Sequence, residues 1–249
     1  MHIVSFNTWK CDHHYSERLP LMASQLLELK PDVLLLEEVF RADGTFDTYQ
    51  YLTNELQMQG TYLPARRKYR QLNKSYIDSE SGLAILSRIE ILEVGNIALP
   101  DDSCDGDRWA HWAVIEKDSF KLLIINTHLT HLVNRDDLRR LQIQTILDEL
   151  ANLPEYDAAV LGGDFNATLD NQSLIPLADA GWLNNWQSCA SNCRSTLNIG
   201  AGGCIDHLFL SPASCFTWSS TKTALNKTHH KNLYPSDHMA VSATLSVNS

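Results

Sequence analysis

Two apolar periods run along this chain. Residues 2–7 alternate and read as a strand. Residues 32–39 hold the run Val33-Leu34-Leu35-Leu36 before Glu37-Glu38 and read as a buried strand. Between them Leu19, Met22, Leu26 and Leu29 recur at helical spacing, which predicts a helix over 16–29 with Ser16 as N-cap and Pro31 as its stop. A second helix is expected over 47–59, with Leu52 and Leu56 facing inward. Strands are expected at 61–63, 81–87 and 89–98, then an acidic loop at 100–107. Residues 109–116 and 121–126 read as a hairpin about Asp118-Ser119. An amphipathic helix follows over 136–150, carrying Leu138, Leu141, Ile143, Ile146, Leu147 and Leu150. Residues 158–163 read as a buried strand, 174–180 as a short helix and 181–203 as a loop-rich stretch. Residues 205–210, 216–225 and 240–246 read as three closing strands. Strand–helix alternation is absent from 81 to 126, which disfavours a doubly wound parallel sheet. A two-sheet sandwich with helices on its outer faces fits better.

Composition narrows this picture. The chain of 249 residues is 44% hydrophobic, enough for a sizeable core, and lacks linker-like or repeated stretches, so one domain over 1–249 is expected. Its longest apolar runs, such as 33–36 and 122–125, are far shorter than the roughly 20 residues of a membrane span. The chain enters a strand pattern at once, without a signal-type apolar region. A cytoplasmic location is expected, or a secreted one if a signal peptide has been removed, and a monomer. Lys and Arg number 20 against 30 Asp and Glu, a formal charge of −10, which argues against non-specific polyanion binding. A divalent ion or a local basic patch could offset that. Six cysteines in this length do not make a disulfide scaffold. Cys189, Cys193 and Cys204 are spaced too loosely for a zinc knot and read as ordinary thiols or an incidental bridge. His13-His14 and His229-His230 have polar flanks and read as surface loops.

Candidate chemistry gathers where apolar strands stop. The strand at 158–163 runs through Gly162-Gly163 into Asp164-Phe165-Asn166, and in an extended segment Asp164 and Asn166 would share one face. Asn7, Glu38, His128, Asp206, Asp237 and His238 also lie at or within two residues of strand ends. Singly, each has an ordinary reading: turn-forming aspartates, an exposed strand exit at Glu37-Glu38, an interior hydrogen-bonded His128, a tight turn at Gly162-Gly163. Together, hard oxygen donors suit Mg²⁺, Mn²⁺ or Ca²⁺, and histidines among carboxylates suit proton transfer near neutral pH.

Seven stretches, taken jointly and in order, resemble the endonuclease/exonuclease/phosphatase superfamily, which has a deoxyribonuclease I-like fold. They are Ser5-Phe6-Asn7-Thr8-Trp9, Pro31 to Val39, Ser81-Gly82-Leu83-Ala84-Ile85-Leu86-Ser87, Asn126-Thr127-His128-Leu129, Gly162-Gly163-Asp164-Phe165-Asn166, Ile205-Asp206-His207-Leu208-Phe209-Leu210 and Ser236-Asp237-His238-Met239-Ala240-Val241. The resemblance implies an α+β, four-layer α/β/β/α sandwich of two mostly antiparallel sheets flanked by helices. It also implies a metal-dependent phosphoric ester hydrolase. Glu38 would be the principal metal ligand, with Asn7 beside it and Asp237 completing or bridging the site. Asp164 would orient or deprotonate the attacking water, and Asn166 would hold water or phosphate. His238 would lie against the scissile phosphate, its tautomer fixed by Asp206. His128 would donate to a phosphate oxygen with Glu80 in support, and Arg108 is a further electrostatic candidate. Two departures stand out: Glu37 replaces the usual glutamine and is expected to add negative charge near the metal, and Ala240 replaces a proline after Ser-Asp-His. No long basic DNA-gripping loop is apparent.

The substrate stays open. A small phosphodiester or phospholipid headgroup is the first expectation, with membrane-surface substrate included, and a DNA or RNA nuclease is the alternative. The six tryptophans could stack on bases, touch lipid or pack the core. A catalytically silent binding protein is disfavoured, because each expected catalytic position holds a competent residue.

Overall fold

The computed structural model describes residues 1–43, 47–72, 74–189, 193–212, 214–228 and 232–248. In chain order the elements are β1 (His2–Asn7), α1 (Tyr15–Leu29), β2 (Val33–Arg41), α2 (Thr48–Leu56), β3 (Gln59–Leu72), β4 (Ser75–Ser87), β5 (Ile91–Ala98), β6 (Trp109–Lys117), β7 (Phe120–His128), α3 (Asp136–Glu149), β8 (Ala158–Asp164), α4 (Ile175–Asp179), β9 (Leu183–Asn184), α5 (Asn185–Ser188), β10 (Asp206–Leu210), β11 (Phe216–Ala224) and β12 (Ala240–Val247). They form two six-stranded sheets, ordered β11-β12-β1-β2-β4-β3 and β5-β6-β7-β8-β10-β9. Each sheet has one central parallel pair, β1 with β2 and β7 with β8, and is otherwise antiparallel.

The apolar runs explain the layering, because strands buried on both faces need apolar residues at odd and even positions. On β1 and β2, Val4, Phe6, Leu34 and Leu36 pack under α1 and α2 with Leu19, Met22, Leu26 and Leu52. Their alternates Ile3, Val33 and Leu35 meet Ile124, Val160 and Leu208 between the sheets. Leu123, Ile125, Ala159 and Leu161 face outward onto Ile143, Ile146 and Leu177 of α3 and α4. These three apolar seams separate the four expected layers.

Local differences have local causes. Helix α1 starts at Tyr15, one residue before the expected Ser16 cap, with no side-chain cap at His14; α2 has Asp47 as its cap, accepting from Gln50 N. The strand expected at 61–63 is the middle of fourteen-residue β3, which pairs along its length with β4. Its second half is polar and carries no apolar alternation; cross-strand pairing, including Arg67 with Asp78 at 2.6 Å, holds it extended. The stretch 181–203 contains short β9 and α5. Asp118 and Ser119 both have positive φ, as a two-residue hairpin turn needs. Cys11, Cys104, Cys193, Cys204 and Cys215 are in no disulfide. His13 stacks on Trp9 at 4.7 Å, and His229 and His230 lie outside the described residues.

Candidate active site where the two sheets meet

Register alone aligns three of the expected residues. β7, β8 and β10 are neighbours, and the ladders set His128 opposite Asp164 and Asp164 opposite Asp206. Gly163 makes this close approach feasible: its φ is +136°, and a Cβ there would lie 1.8 Å from the Thr127 carbonyl oxygen. The first sheet contributes Asn7 at the end of β1, whose Nδ2 donates to Asp164 Oδ2 at 3.1 Å across the sheet interface. Asn126 ties the sheets further, donating to the carbonyls of Leu36 and Ala84.

Asp164 is the hub. Its Oδ1 accepts from Asn166 N at 2.9 Å, while Oδ2 lies 3.5 Å from His128 Nε2 and 3.8 Å from His238 Nε2. Burial, reinforced by the Asp206 charge and opposed by His238, pushes its carboxyl up to about 7. His238 Nδ1 lies 3.0 and 3.2 Å from the Asp206 oxygens. Burial works against the His238 charge, but Asp206, Asp164 and Asp237 outweigh it and hold the imidazolium well above its ordinary range. His128 goes the other way: burial first, then the charges of Arg108, Lys10 and His238, hold it neutral. One charged and one neutral imidazole therefore flank a single carboxylate.

Glu38 sits on a bulge. The β2–β4 register shifts between Leu36 and Val39, and Glu38 has φ +53°. Its carboxylate receives Lys10 Nζ at 2.7 Å on both oxygens. Burial raises the Asp237 carboxyl; His238 opposes that and the Glu38 charge adds to it. Asp164, Asp206 and His238 also offer ligand atoms within 4.8 Å of one another. In that trio, however, Asp206 is committed to His238 and to Thr196 Oγ1, which donates to Oδ2 at 2.5 Å. Glu38, whose carboxylate receives an ammonium group and lines the open cleft, could also hold a cation. Asn7 has both amide atoms engaged, with Oδ1 accepting from Trp9 N, so it positions Asp164 in this arrangement.

The remaining expected residues are placed as follows. Asn166 has φ +50°, so strand alternation stops at Asp164; its Nδ2 reaches the Leu129 carbonyl at 3.1 Å, close to the His128 strand end. Arg108 lines the cleft, grips Asp105 at 2.5 and 2.9 Å and donates to the His128 carbonyl at 3.1 Å. Glu80 is not brought to His128: it lines a separate hollow with Arg41, Arg67 and Asp78, because Ser79 and Ser81, its neighbours on β4, take the opposite face and hold Arg70. Glu37 does not supply the added negative charge expected: it is fully buried, and burial, then Asp206 and Asp164, raises its carboxyl well above the usual range.

Four contributors were not anticipated. Thr196 lies in the aperiodic stretch before β10 and fixes Asp206. Lys10 follows the Asn7-Thr8-Trp9 stretch. Arg18, wholly buried on α1, donates to the carbonyls of Thr8, Trp9, Lys10, Asp12 and Pro235, binding together the loops that carry Asn7 and Asp237. The fourth is the strip Arg66, Lys68 and Arg70 on β3. It was visible as Arg66-Arg67-Lys68-Tyr69-Arg70, and it walls a cleft of about 240 Å³ with Glu38, Arg108 and His128. A second, more apolar hollow of about 280 Å³ lies by Trp9, His13, Ile199, Leu233 and Tyr234. Among the described residues no helix is long and apolar enough to cross a membrane.

Known proteins match this architecture. Rat Nocturnin is 30% identical over 160 residues, covering 61% of this chain and 36% of the rat protein; Drosophila melanogaster Protein angel is 26% identical over 168 residues, covering 64% and 46%. The aligned part thus spans between a third and a half of those relatives. The human Nocturnin catalytic domain with bound sulfate superposes with a TM-score of 0.81 at 22% identity, over 100% of this chain and 93% of that domain. Humanized D. rerio TDP2 gives 0.79 at 21% identity, over 99% of both. Residues 4–238 match the sequence profile of the Endonuclease/Exonuclease/phosphatase family, and the chain belongs to that family.

Proposed function

We propose that this chain is a divalent-metal-dependent hydrolase that cleaves a phosphoester by in-line attack of water. The observation that carries the reading is Asp164, buried between a charged, Asp206-paired His238 and a neutral His128 that lines the same cleft as Glu38. Glu38, with Asp237 nearby, would hold Mg²⁺ (Mn²⁺ or Ca²⁺ being chemically similar), and the ion would neutralise charge building on the phosphate oxygens. Asp164, its carboxyl raised to about 7, orients the attacking water and takes its proton. His238 donates from Nε2 toward the phosphate while Asp206 holds Nδ1, and neutral His128 donates to a second oxygen. Asn166, anchored to the Leu129 carbonyl, limits how the water can sit.

A small phosphodiester is the first substrate reading. A nuclease is the second, favoured by the basic β3 wall of the cleft, and D. rerio TDP2 of the same fold has been solved with a single-strand DNA product. The test is hydrolysis of bis(p-nitrophenyl) phosphate, single-stranded DNA, RNA, sphingomyelin and phosphoinositides, with Mg²⁺ or Mn²⁺ and with EDTA. Turnover that EDTA abolishes, and that Asp164→Asn and His238→Ala each lower by about 10²–10³, is expected. Full activity of either folded variant would overturn the mechanism. Preferential cleavage of DNA or RNA would favour the second reading.

A further inference from the structure

The cleft reverses the charge of the molecule around it. The chain carries a formal −10, yet the cleft is lined by five cationic side chains, Lys10, Arg66, Lys68, Arg70 and Arg108, against three carboxylates, Glu38, Asp105 and Asp107. Two of the cations have partners that use them up: Lys10 is on Glu38, and Arg108 is on Asp105. The other three come from alternate positions on one face of β3. Arg70 is 6% exposed, and among the described residues no carboxylate pairs with it. Its guanidinium donates only to neutral oxygens, Ser79 O, Ser79 Oγ, Ser81 Oγ and Arg66 O, and its buried Nε has no partner. A buried, uncompensated guanidinium is costly unless something anionic is bound. Lys68 likewise has no carboxylate partner among the described residues. Burial, followed by the charges of Arg70, Arg66 and Lys10, lowers its ammonium pKa, so these cations feel one another directly. Arg66 reaches a carboxylate only at 4.0 Å, and that one, Asp105, is already held by Arg108 and His131.

We infer that Arg66, Lys68 and Arg70 form a subsite for a second phosphate, so that the substrate is a phosphoester carrying another phosphate group beyond the one hydrolysed. This rests on the proposed hydrolase reading and sharpens it: Glu38 and His128 line the same cleft as the β3 face. An excess of fixed positive charge beside the reaction centre rewards a doubly anionic ligand and does little for a singly charged one. Arg67, one position over, points to the opposite face and pairs with Asp78, which makes it the natural charge control.

The experiment uses two matched pairs of probes: thymidine dinucleotide with and without a 5′-phosphate, and glycerophosphoinositol with and without a 4-phosphate. Binding is measured by calorimetry in EDTA, where no turnover occurs, and kcat/KM is measured with Mg²⁺. In the wild type the phosphorylated member of at least one pair should bind about 10-fold or more tighter, the scale of one charge-assisted contact. The pair that shows the preference names the substrate as nucleotide or inositide. Lys68→Gln and Arg66→Gln, both at accessible positions, should each shrink the preference several-fold, and Arg67→Gln should leave it intact. A wild type without preference in either pair overturns the subsite, whether or not the probes are hydrolysed. A preference that survives the Arg66→Gln/Lys68→Gln double substitution also overturns it. A preference in binding without turnover of any probe supports the subsite and overturns the hydrolase reading instead.

Discussion

Lys10 Nζ lies 2.7 Å from both carboxylate oxygens of Glu38, so an ammonium group occupies the carboxylate proposed to hold a metal ion. Lys10 and a divalent cation then compete for the same charge. Replacing Lys10 removes the competitor and leaves Glu38 without its partner. Lys10→Met is expected to bind Mg²⁺ or Mn²⁺ more tightly than the wild type by on the order of 10-fold, about 1.4 kcal/mol. Glu38→Gln should bind either ion poorly whichever residue stands at position 10. Calorimetric titration of the metal-free proteins reads both. Equal or weaker metal binding by Lys10→Met would remove Lys10 from the metal's site.

Much of this architecture is legible in the sequence because it is encoded locally. The runs at 33–36, 122–125 and 158–161 read as strands buried on both faces, and the polar residues beyond the last two, His128 and Asp164, are lined up with Asp206 by the β7–β8–β10 register. What escapes is encoded at a distance. The outer half of β3 is a strand only because β4 pairs with it, so residues 64–72 show no period of their own. Thr196 matters through Asp206, ten positions on, and Arg18 through carbonyls as far off as Pro235. The expectation for Glu37 failed for a related reason. Adjacent glutamates suggest charge, whereas β2 points Glu37 into the protein, where burial favours the neutral acid.

Glu37 gives a test of that last point. Its Oε1 has only a 3.4 Å contact with Ser5 Oγ, and Oε2 has no partner. Because its folded pKa is raised, by burial first and then by Asp206 and Asp164, the folded state binds more protons than the unfolded one above the ordinary carboxylate range. Stability is therefore lost as pH rises through that window. Glu37→Gln keeps the shape and cannot ionise. It should match the wild type near pH 4 and exceed it in stability at pH 8. Urea denaturation at the two pH values measures this; a Glu37→Gln variant no more stable at pH 8 than at pH 4, relative to wild type, would mean that Glu37 is ionised in the fold.

Acid should act through two buried histidines that have no assigned part in the proposed chemistry. His111 is buried with Nδ1 2.6 Å from Asn96 Oδ1, and burial, against backbone hydrogen bonding at Gly95 and Thr61, pulls it down to about 4. His207, wholly buried with Nε2 2.9 Å from the Ala167 carbonyl, is pulled down to about 4 mainly by burial. Both folded pKa values lie below the unfolded value of 6.5, so the unfolded chain binds more protons between pH 6.5 and 4. Stability from this source is complete above pH 6.5 and declines as pH falls toward 4, by on the order of 3 kcal/mol per histidine. His111→Gln should flatten that decline relative to its own stability at pH 7.5. An unchanged slope in denaturation midpoints across pH 7.5 to 4.5 would show that His111 is not the group responsible.

The pairing of His238 with Asp206 should be visible in the pH profile of turnover. Asp206 contacts His238 Nδ1 at 3.0 Å and is itself fixed by Thr196, and its charge is the largest influence holding the imidazolium up against burial. If His238 works as the cation, activity falls on the alkaline side as it loses its proton. Asp206→Asn removes the charge and keeps the shape. It should lower kcat by about 10²–10³ and move the alkaline limb to lower pH. Thr196→Val, which removes only the hydroxyl that orients Asp206, should move the limb in the same direction by less and cost about 10-fold in kcat, the scale of one hydrogen bond to a charged group. Both variants should keep their Mn²⁺ affinity, because the metal is assigned to Glu38 and Asp237. Loss of Mn²⁺ binding in Asp206→Asn, with an unmoved alkaline limb, would instead make Asp164, Asp206 and His238 the metal-binding group.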